Sequence, residues 1–250
     1  VIRVGHKGAD AVVPGNTIAS FQAAVKIGVD VIEFDVLRPR SDFAKPEDWR
    51  RAEPGPAPGG EELVVAHDWA AAQRRKNPLT LRAALDAFCE PPLDQVGIDL
   101  DLKMAGREDE VITALRDRDL LGRAMTSGTE IPTIRTLGEL EPALSRGWTL
   151  PRVRHDWTKT RFGKPVVLAG MAALRSRLPR LVRREAPALG VETIWIHHAL
   201  ASPALARAAH DSGARLIAWT VDDAPRMREL AAIGVDGLCS NDPRLFGDLD

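Results

Sequence analysis

Short apolar runs rich in β-branched residues recur along the whole chain, separated by alanine- and arginine-rich stretches whose apolar positions repeat every three to four residues. The first pattern reads as strands buried on both faces, the second as amphipathic helices packed on a sheet. Strands are expected at 2–5, 29–36, 63–66, 97–102, 123–127, 150–153, 193–196, 215–221 and 237–240. Helices are expected at 17–27, 79–88, 108–118, 137–145, 172–184, 203–211 and 225–232. Thr17 and Ser202 stand where an N-cap oxygen accepts from free N–H groups, and Gly28, Gly213 and Gly234 stand where helices stop.

Alternation of strand and helix means βα units on a parallel sheet. The strands number one more than a closed eight-stranded barrel needs, and polar residues collect at strand C-termini all along the chain. An open sheet would gather them at one crossover instead. The expected fold is α/β, a (β/α)8 TIM barrel in one domain over 1–250. Residues 63–66 form its extra hairpin strand, and the proline- and glycine-rich 38–62 is a long loop or lid on the catalytic face.

Composition narrows the function. Lysine plus arginine total 34 against 35 acids, a formal charge of -1, so no field gathers nucleic acid or an anionic membrane. An anionic substrate would have to be held locally, by a few cations or a metal. No apolar stretch reaches transmembrane length and no signal-peptide pattern opens the chain, which points to the cytoplasm, although a start at Val1 leaves room for a removed leader. Cys89 and Cys239 are too few and too far apart for a disulfide framework, and Cys239 reads as a buried thiol. Nothing in the sequence fixes an oligomeric state.

The chemistry lies at strand ends. In Glu33-Phe34-Asp35 the two carboxylates share one face of a strand, with Phe34 opposite. They are either salt-bridged acids or two oxygen ligands for one hard divalent cation, Mg²⁺ or Ca²⁺. Asp99-Leu100-Asp101-Leu102-Lys103 has the same parity, so one of its acids either completes a three-carboxylate site or neutralises Lys103. His6 and His67 each follow a strand, as a polar cap or as one half of the proton-transfer pair that phosphodiester cleavage needs. Glycines around His6 and Lys7 would let a phosphate approach the backbone closely.

Taken in order, these segments resemble the glycerophosphodiester phosphodiesterase family. Its opening His-Arg-Gly and Glu-Asn-Thr are similar to His6-Lys7-Gly8 and Gly15-Asn16-Thr17, and its Glu-x-Asp-Val to Glu33-Phe34-Asp35-Val36. Its His-Asp resembles His67-Asp68, its Glu-x-Lys resembles Asp101-Leu102-Lys103, and its Trp-Thr-Val resembles Trp219-Thr220-Val221. The closing Gly-Val-Asp-Gly and Thr-Asp-x-Pro are similar to 234–237 and Ser240-Asn241-Asp242-Pro243. The resemblance implies a barrel enzyme with one divalent cation held by Glu33, Asp35 and Asp101, and with His6 and His67 as general acid and base. Lys7 and Lys103 would bind the phosphate and Trp219 would pack on the alcohol moiety of a small-molecule phosphodiester. A neighbouring substrate hydroxyl would attack phosphorus before water completes the hydrolysis.

The chain departs from the family at Lys7 for arginine, at Gly15 for glutamate and at Asp101 for glutamate. It also lacks the small insertion after His67-Asp68, where Arg74-Arg75-Lys76 is either a solvated face or a grip for a second anionic group. Asp99 is the alternative third ligand. His155-Asp156-Trp157 repeats His67-Asp68-Trp69, His197-His198 ends a strand where one ring could meet substrate, and His210 reads as structural. Two other functions stay open: phospholipase D-type cleavage of lysophospholipid head groups, and a non-catalytic phosphate-binding barrel.

Overall fold

A computed structural model of the protein describes residues 1–38, 62–75, 77–103, 105–151 and 163–249. Eight parallel strands close into a barrel: β1 (Ile2–His6), β2 (Val31–Leu37), β4 (Gly97–Leu102), β5 (Ala124–Gly128), β6 (Ser145–Leu150), β7 (Thr193–His197), β8 (Arg215–Trp219) and β9 (Gly237–Ser240), the last pairing with β1. The two-residue β3 (Val64–Val65) pairs antiparallel with the end of β2 outside the ring, as the hairpin reading expects. Around the barrel lie α1 (Ile18–Ile27), α2 (Trp69–Arg74), α3 (Leu81–Phe88), α4 (Glu108–Arg116), α5 (Ile131–Leu140), α6 (Gly163–Leu189), α7 (Pro203–Asp211) and α8 (Ala224–Ala232). Among the described residues no helix is long and apolar enough to cross a membrane.

The main core fills the space between sheet and helices. On the sheet's outer face Phe34 meets Phe21 of α1 and Phe88 of α3, with ring centroids 5.4–5.7 Å apart and all three rings fully buried. This cluster fixes the end of β2 that carries the acidic pair. Phe88→Ala would leave a cavity there and is expected to cost about 3–5 kcal/mol, read as a lowered urea midpoint. Strand register defines the inner face. Val4 pairs with Val31 and Cys239, and Trp195 with Ile217, so a small apolar cluster of these residues and Met125 plugs the barrel beneath the site.

Thr17 and Ser202 cap their helices, accepting from Ser20 N and Leu205 N. Four elements differ from the sequence expectation. Strand β6, the fifth of the barrel, lies at Ser145–Leu150, earlier than the expected 150–153, of which 152–153 fall outside the described residues. Its β signal is weakened by Gly147, where an added Cβ would fall 2.7 Å from the indole nitrogen of Trp195; the inner face is bare there because the neighbouring strand's ring fills it. The helix expected at 137–145 begins earlier, at Ile131, with Pro132 in its first turn, a position proline suits. Gly138 breaks its periodicity because the Arg146 guanidinium packs against that position. Helix α2 and the full length of α6 were not expected either. Residues 39–61, the bulk of the expected loop, and His155-Asp156-Trp157 lie outside the described residues.

Candidate active site

A cavity of about 430 Å³ opens at the C-terminal ends of the strands. Its wall includes His6, Glu33, His67, Asp99, Asp101, Lys103 and Trp219. Strand register explains the acids: Glu33 pairs with Asp99 and Asp35 with Asp101, so β2 and β4 present two carboxylates each, side by side on one face. One oxygen each from Glu33, Asp35 and Asp101 lies within 4.8 Å of the others. Asp99 is turned elsewhere, accepting from Ser127 Oγ at 2.8 Å.

The buried Asp35 is the best-held member. Asn16 Nδ2 donates to its carboxylate at 2.8 Å, Asn16 Oδ1 accepts from its backbone N–H at 3.2 Å, and Lys103 Nζ lies 2.8 Å from Oδ1. Lys103 also donates to Asp101, so the ammonium bridges two of the three acids. The N–H of Lys7 donates to Glu33 at 3.0 Å. Lys7 and Asn16 both carry positive φ, 53° and 57°, an arrangement costing a non-glycine residue about 1–2 kcal/mol and retained here where each aims a polar group at an acid.

Burial dominates the electrostatics. It pushes the carboxyls of Glu33 and Asp99 well above the ordinary range, reinforced by neighbouring acids. Burial opposes ionisation of Asp35 too, but the charges of Lys103, His67 and Lys7 outweigh it and hold that carboxyl below its usual value. Lys103 is held well above its own, since the attraction of Asp101, Asp35 and Glu33 exceeds its burial cost. A cluster of acids with one ammonium among them is short of positive charge. Its all-oxygen donor set suits a hard divalent cation, so the residues present fit one.

The two histidines are arranged alike. His6 Nδ1 lies 2.6 Å from Asn241 Oδ1, and His67 Nδ1 lies 3.1 Å from Asp68 Oδ2. The other Asp68 oxygen caps α2 by accepting from Ala71 N. Each ring thus spends Nδ1 on an acceptor; both residues line the cavity, and His6 Nε2 lies 3.9 Å from Glu33 Oε2. Burial and the charge of Lys7 lower the His6 pKa, favouring the neutral ring. Asn241 is itself fixed by Asp222, to which its backbone N–H and Nδ2 donate at 2.8 and 2.6 Å. The sequence places Asn241 in a motif but gives it no role; its contact with His6 spans 235 positions.

The departures from the family also find places. The position of Gly15 is filled by Asp10, whose Oδ1 would lie 2.5 Å from an added Cβ and which accepts from Gly15 N. Gly15→Glu, the family residue, is therefore expected to lower stability by about 1–3 kcal/mol as read by thermal melting, and Asp10→Ala in the same chain to recover most of it. The Lys7 side chain turns toward Asp10, 4.0 Å away, and is absent from the cavity wall. Arg75 does not face an anion: it donates to the carbonyls of Asn16 and Gly15, bracing the loop that carries Asn16. Lys76 lies outside the described residues. Trp219 lines the cavity with its ring edge-on to His197, 5.4 Å between centroids, while His197 and His198 stay out of the wall. His210 bonds Asp236 at 2.8 Å, and Cys239 is a buried free thiol.

A barrel that gathers acids, a lysine and two histidines at its strand C-termini has the site placement of a TIM-barrel enzyme. A sequence model of the Glycerophosphoryl diester phosphodiesterase family matches residues 6–41 and 97–245, and the chain belongs to that family of phosphoric diester hydrolases. Over 60 residues it is 33% identical to the glycerophosphodiester phosphodiesterase GDPD4 of Arabidopsis thaliana, a match that takes in 24% of this chain and 18% of that protein. A glycerophosphodiester phosphodiesterase of Agrobacterium tumefaciens superposes with a TM-score of 0.65 at 19% identity, covering 98% of this chain and 97% of that one. A phosphodiesterase of Oleispira antarctica, solved with the product sn-glycerol-3-phosphate, gives 0.66 at 17% identity, covering 100% and 97%. At these identities the structural likeness is one of fold.

Proposed function

We propose that the chain hydrolyses a glycerophosphodiester to glycerol 3-phosphate and an alcohol, with a divalent cation, Mg²⁺ or Ca²⁺, at Glu33, Asp35 and Asp101. The observation that carries this reading is the convergence of Glu33, Asp101, Lys103 and two histidines on one cavity, with the buried Asp35 clustered beside Glu33 and Asp101. A bound cation would offset negative charge building on the phosphoryl oxygens. Lys103, on the cavity wall beside the acids, binds a phosphoryl oxygen. His6, neutral and with Nε2 unprotonated, takes the proton of the attacking hydroxyl. His67, backed by the Asp68 carboxylate, gives a proton to the departing alkoxide. Asp101 reaches the cluster despite being one methylene shorter than glutamate, which favours it over Asp99 as the third ligand.

The test is a panel of glycerophosphocholine, glycerophosphoethanolamine, glycerophosphoinositol and lysophosphatidylcholine, each with Mg²⁺ or Ca²⁺, assayed for released glycerol 3-phosphate. Release from the glycerophosphodiesters is the expected result. Turnover of the lysophospholipid alone would move the activity to lipid head groups, and cation binding without turnover would leave a phosphate-binding barrel.

A further inference from the structure

Two polar groups on the cavity wall remain unexplained. Asp99 has one carboxylate oxygen bonded by Ser127 Oγ; the other, Oδ1, is buried and meets no partner among the described residues. The indole N–H of Trp195 is likewise buried and without an acceptor among them. Both side chains are almost wholly out of solvent, Asp99 at 0% and Trp195 at 3% exposure, and both line the cavity. They belong to one part of the barrel interior. Ser127, which holds Asp99, and the Trp195 nitrogen flank the same point above Gly147, 3.1 and 2.7 Å from where a Cβ would stand.

We propose that this floor is a hydroxyl-binding site, where an alcohol hydroxyl of the substrate donates to Asp99 Oδ1 and accepts from the Trp195 N–H. The proposal rests on the phosphodiesterase reading and adds the part of the substrate that goes deepest. A buried acceptor and a buried donor left over together call for a group that does both, as a hydroxyl does. A phosphate or carboxylate oxygen would accept from the indole but has no proton to give Asp99 Oδ1, and it would enter the cluster of acids on β2 and β4. An ammonium would satisfy Asp99 but leave the indole without an acceptor. The same charges orient the ligand, with the phosphoryl group at the rim beside Lys103 and the hydroxylated end pointing into the barrel. Gly147 is bare because the indole must lie across it to present its nitrogen there.

The experiment is calorimetric binding, in Mg²⁺ buffer, of sn-glycerol 3-phosphate and its two singly deoxygenated analogues, 2-hydroxypropyl phosphate and 3-hydroxypropyl phosphate. Wild-type protein is expected to bind one analogue about tenfold more weakly than glycerol 3-phosphate. In Trp195→Phe, which keeps a ring and removes the donor, that penalty should shrink to about threefold, because only the bond to Asp99 is left to lose. Asp99→Leu should do the same, and Trp195→Phe decides the matter alone if that variant does not fold. A penalty that persists unchanged in Trp195→Phe, or no penalty in the wild type, overturns the hydroxyl site, as does a water held there in the complex with glycerol 3-phosphate. If the wild type also cleaves no diester and binds none of the three, the phosphodiesterase reading falls with it; turnover with unaltered discrimination sinks the hydroxyl site alone.

Discussion

His6→Ala is expected to lower kcat on glycerophosphocholine by about 10²–10⁴-fold, with the circular dichroism spectrum and melting point close to wild type. The reason lies in a hydrogen-bond chain with one consistent direction. Asp222 accepts from Asn241 Nδ2, which fixes which end of the amide faces His6. That end is Oδ1, an acceptor, so the proton on His6 sits on Nδ1 and the lone pair sits on Nε2. Burial and the charge of Lys7 keep the ring neutral, the state a general base requires. Asn241→Ala leaves the imidazole in place but frees it to rotate or switch tautomer, so kcat should drop by about 10–100-fold with KM nearly unchanged. Asn241→Asp supplies an acceptor again and should recover part of that loss, which a purely structural role would not predict. Retention of more than a tenth of wild-type kcat in His6→Ala would mean that proton transfer runs through another group.

Much of this arrangement could be read from the chain because strand parity is a strict rule. Glu33 with Asp35 and Asp99 with Asp101 had to share faces once their segments were strands, and the register sets the two pairs side by side. The barrel followed from the order of elements, and the caps from single residues such as Thr17 and Ser202. Contacts between distant segments were not readable in this way. That Asn241 orients His6, that Arg75 braces Asn16 and that Asp10 fills the space at Gly15 depend on the closed barrel bringing loops together. The misplaced strand β6 has the same origin. Gly147 looks like a strand breaker until the Trp195 ring is seen to occupy its inner face. The choice between Asp99 and Asp101 was open in sequence because parity makes them equivalent. In the closed barrel Ser127 engages Asp99, while Asp101 stands in the cluster with Glu33 and Asp35.

Removal of divalent cation is expected to abolish turnover, and Asp35→Asn to weaken cation binding more than Asp101→Asn does. Three carboxylates converge within 4.8 Å with Lys103 as their nearest cation, an arrangement that stores repulsion a divalent ion would relieve. The wild-type protein should therefore melt higher with Mg²⁺ or Ca²⁺, by an amount that grows with concentration and reaches about 2.7 kcal/mol at a hundredfold excess over Kd. Treatment with EDTA should reverse both the shift and the activity. Asp35 matters most because its position is set from two sides, by Asn16 and by Lys103, so its oxygens meet an incoming ion without reorganisation. Asp101 is more exposed and its carboxylate is held by Lys103, so it adapts more easily to replacement. Asn16→Ala, which frees Asp35 without altering any charge, should lower cation affinity by about 10–100-fold. If the cation raised the melting temperature of Asp35→Asn as much as that of the wild type, its site would lie outside this cluster, and the common face of β2 and β4 would be a salt-bridge network centred on Lys103.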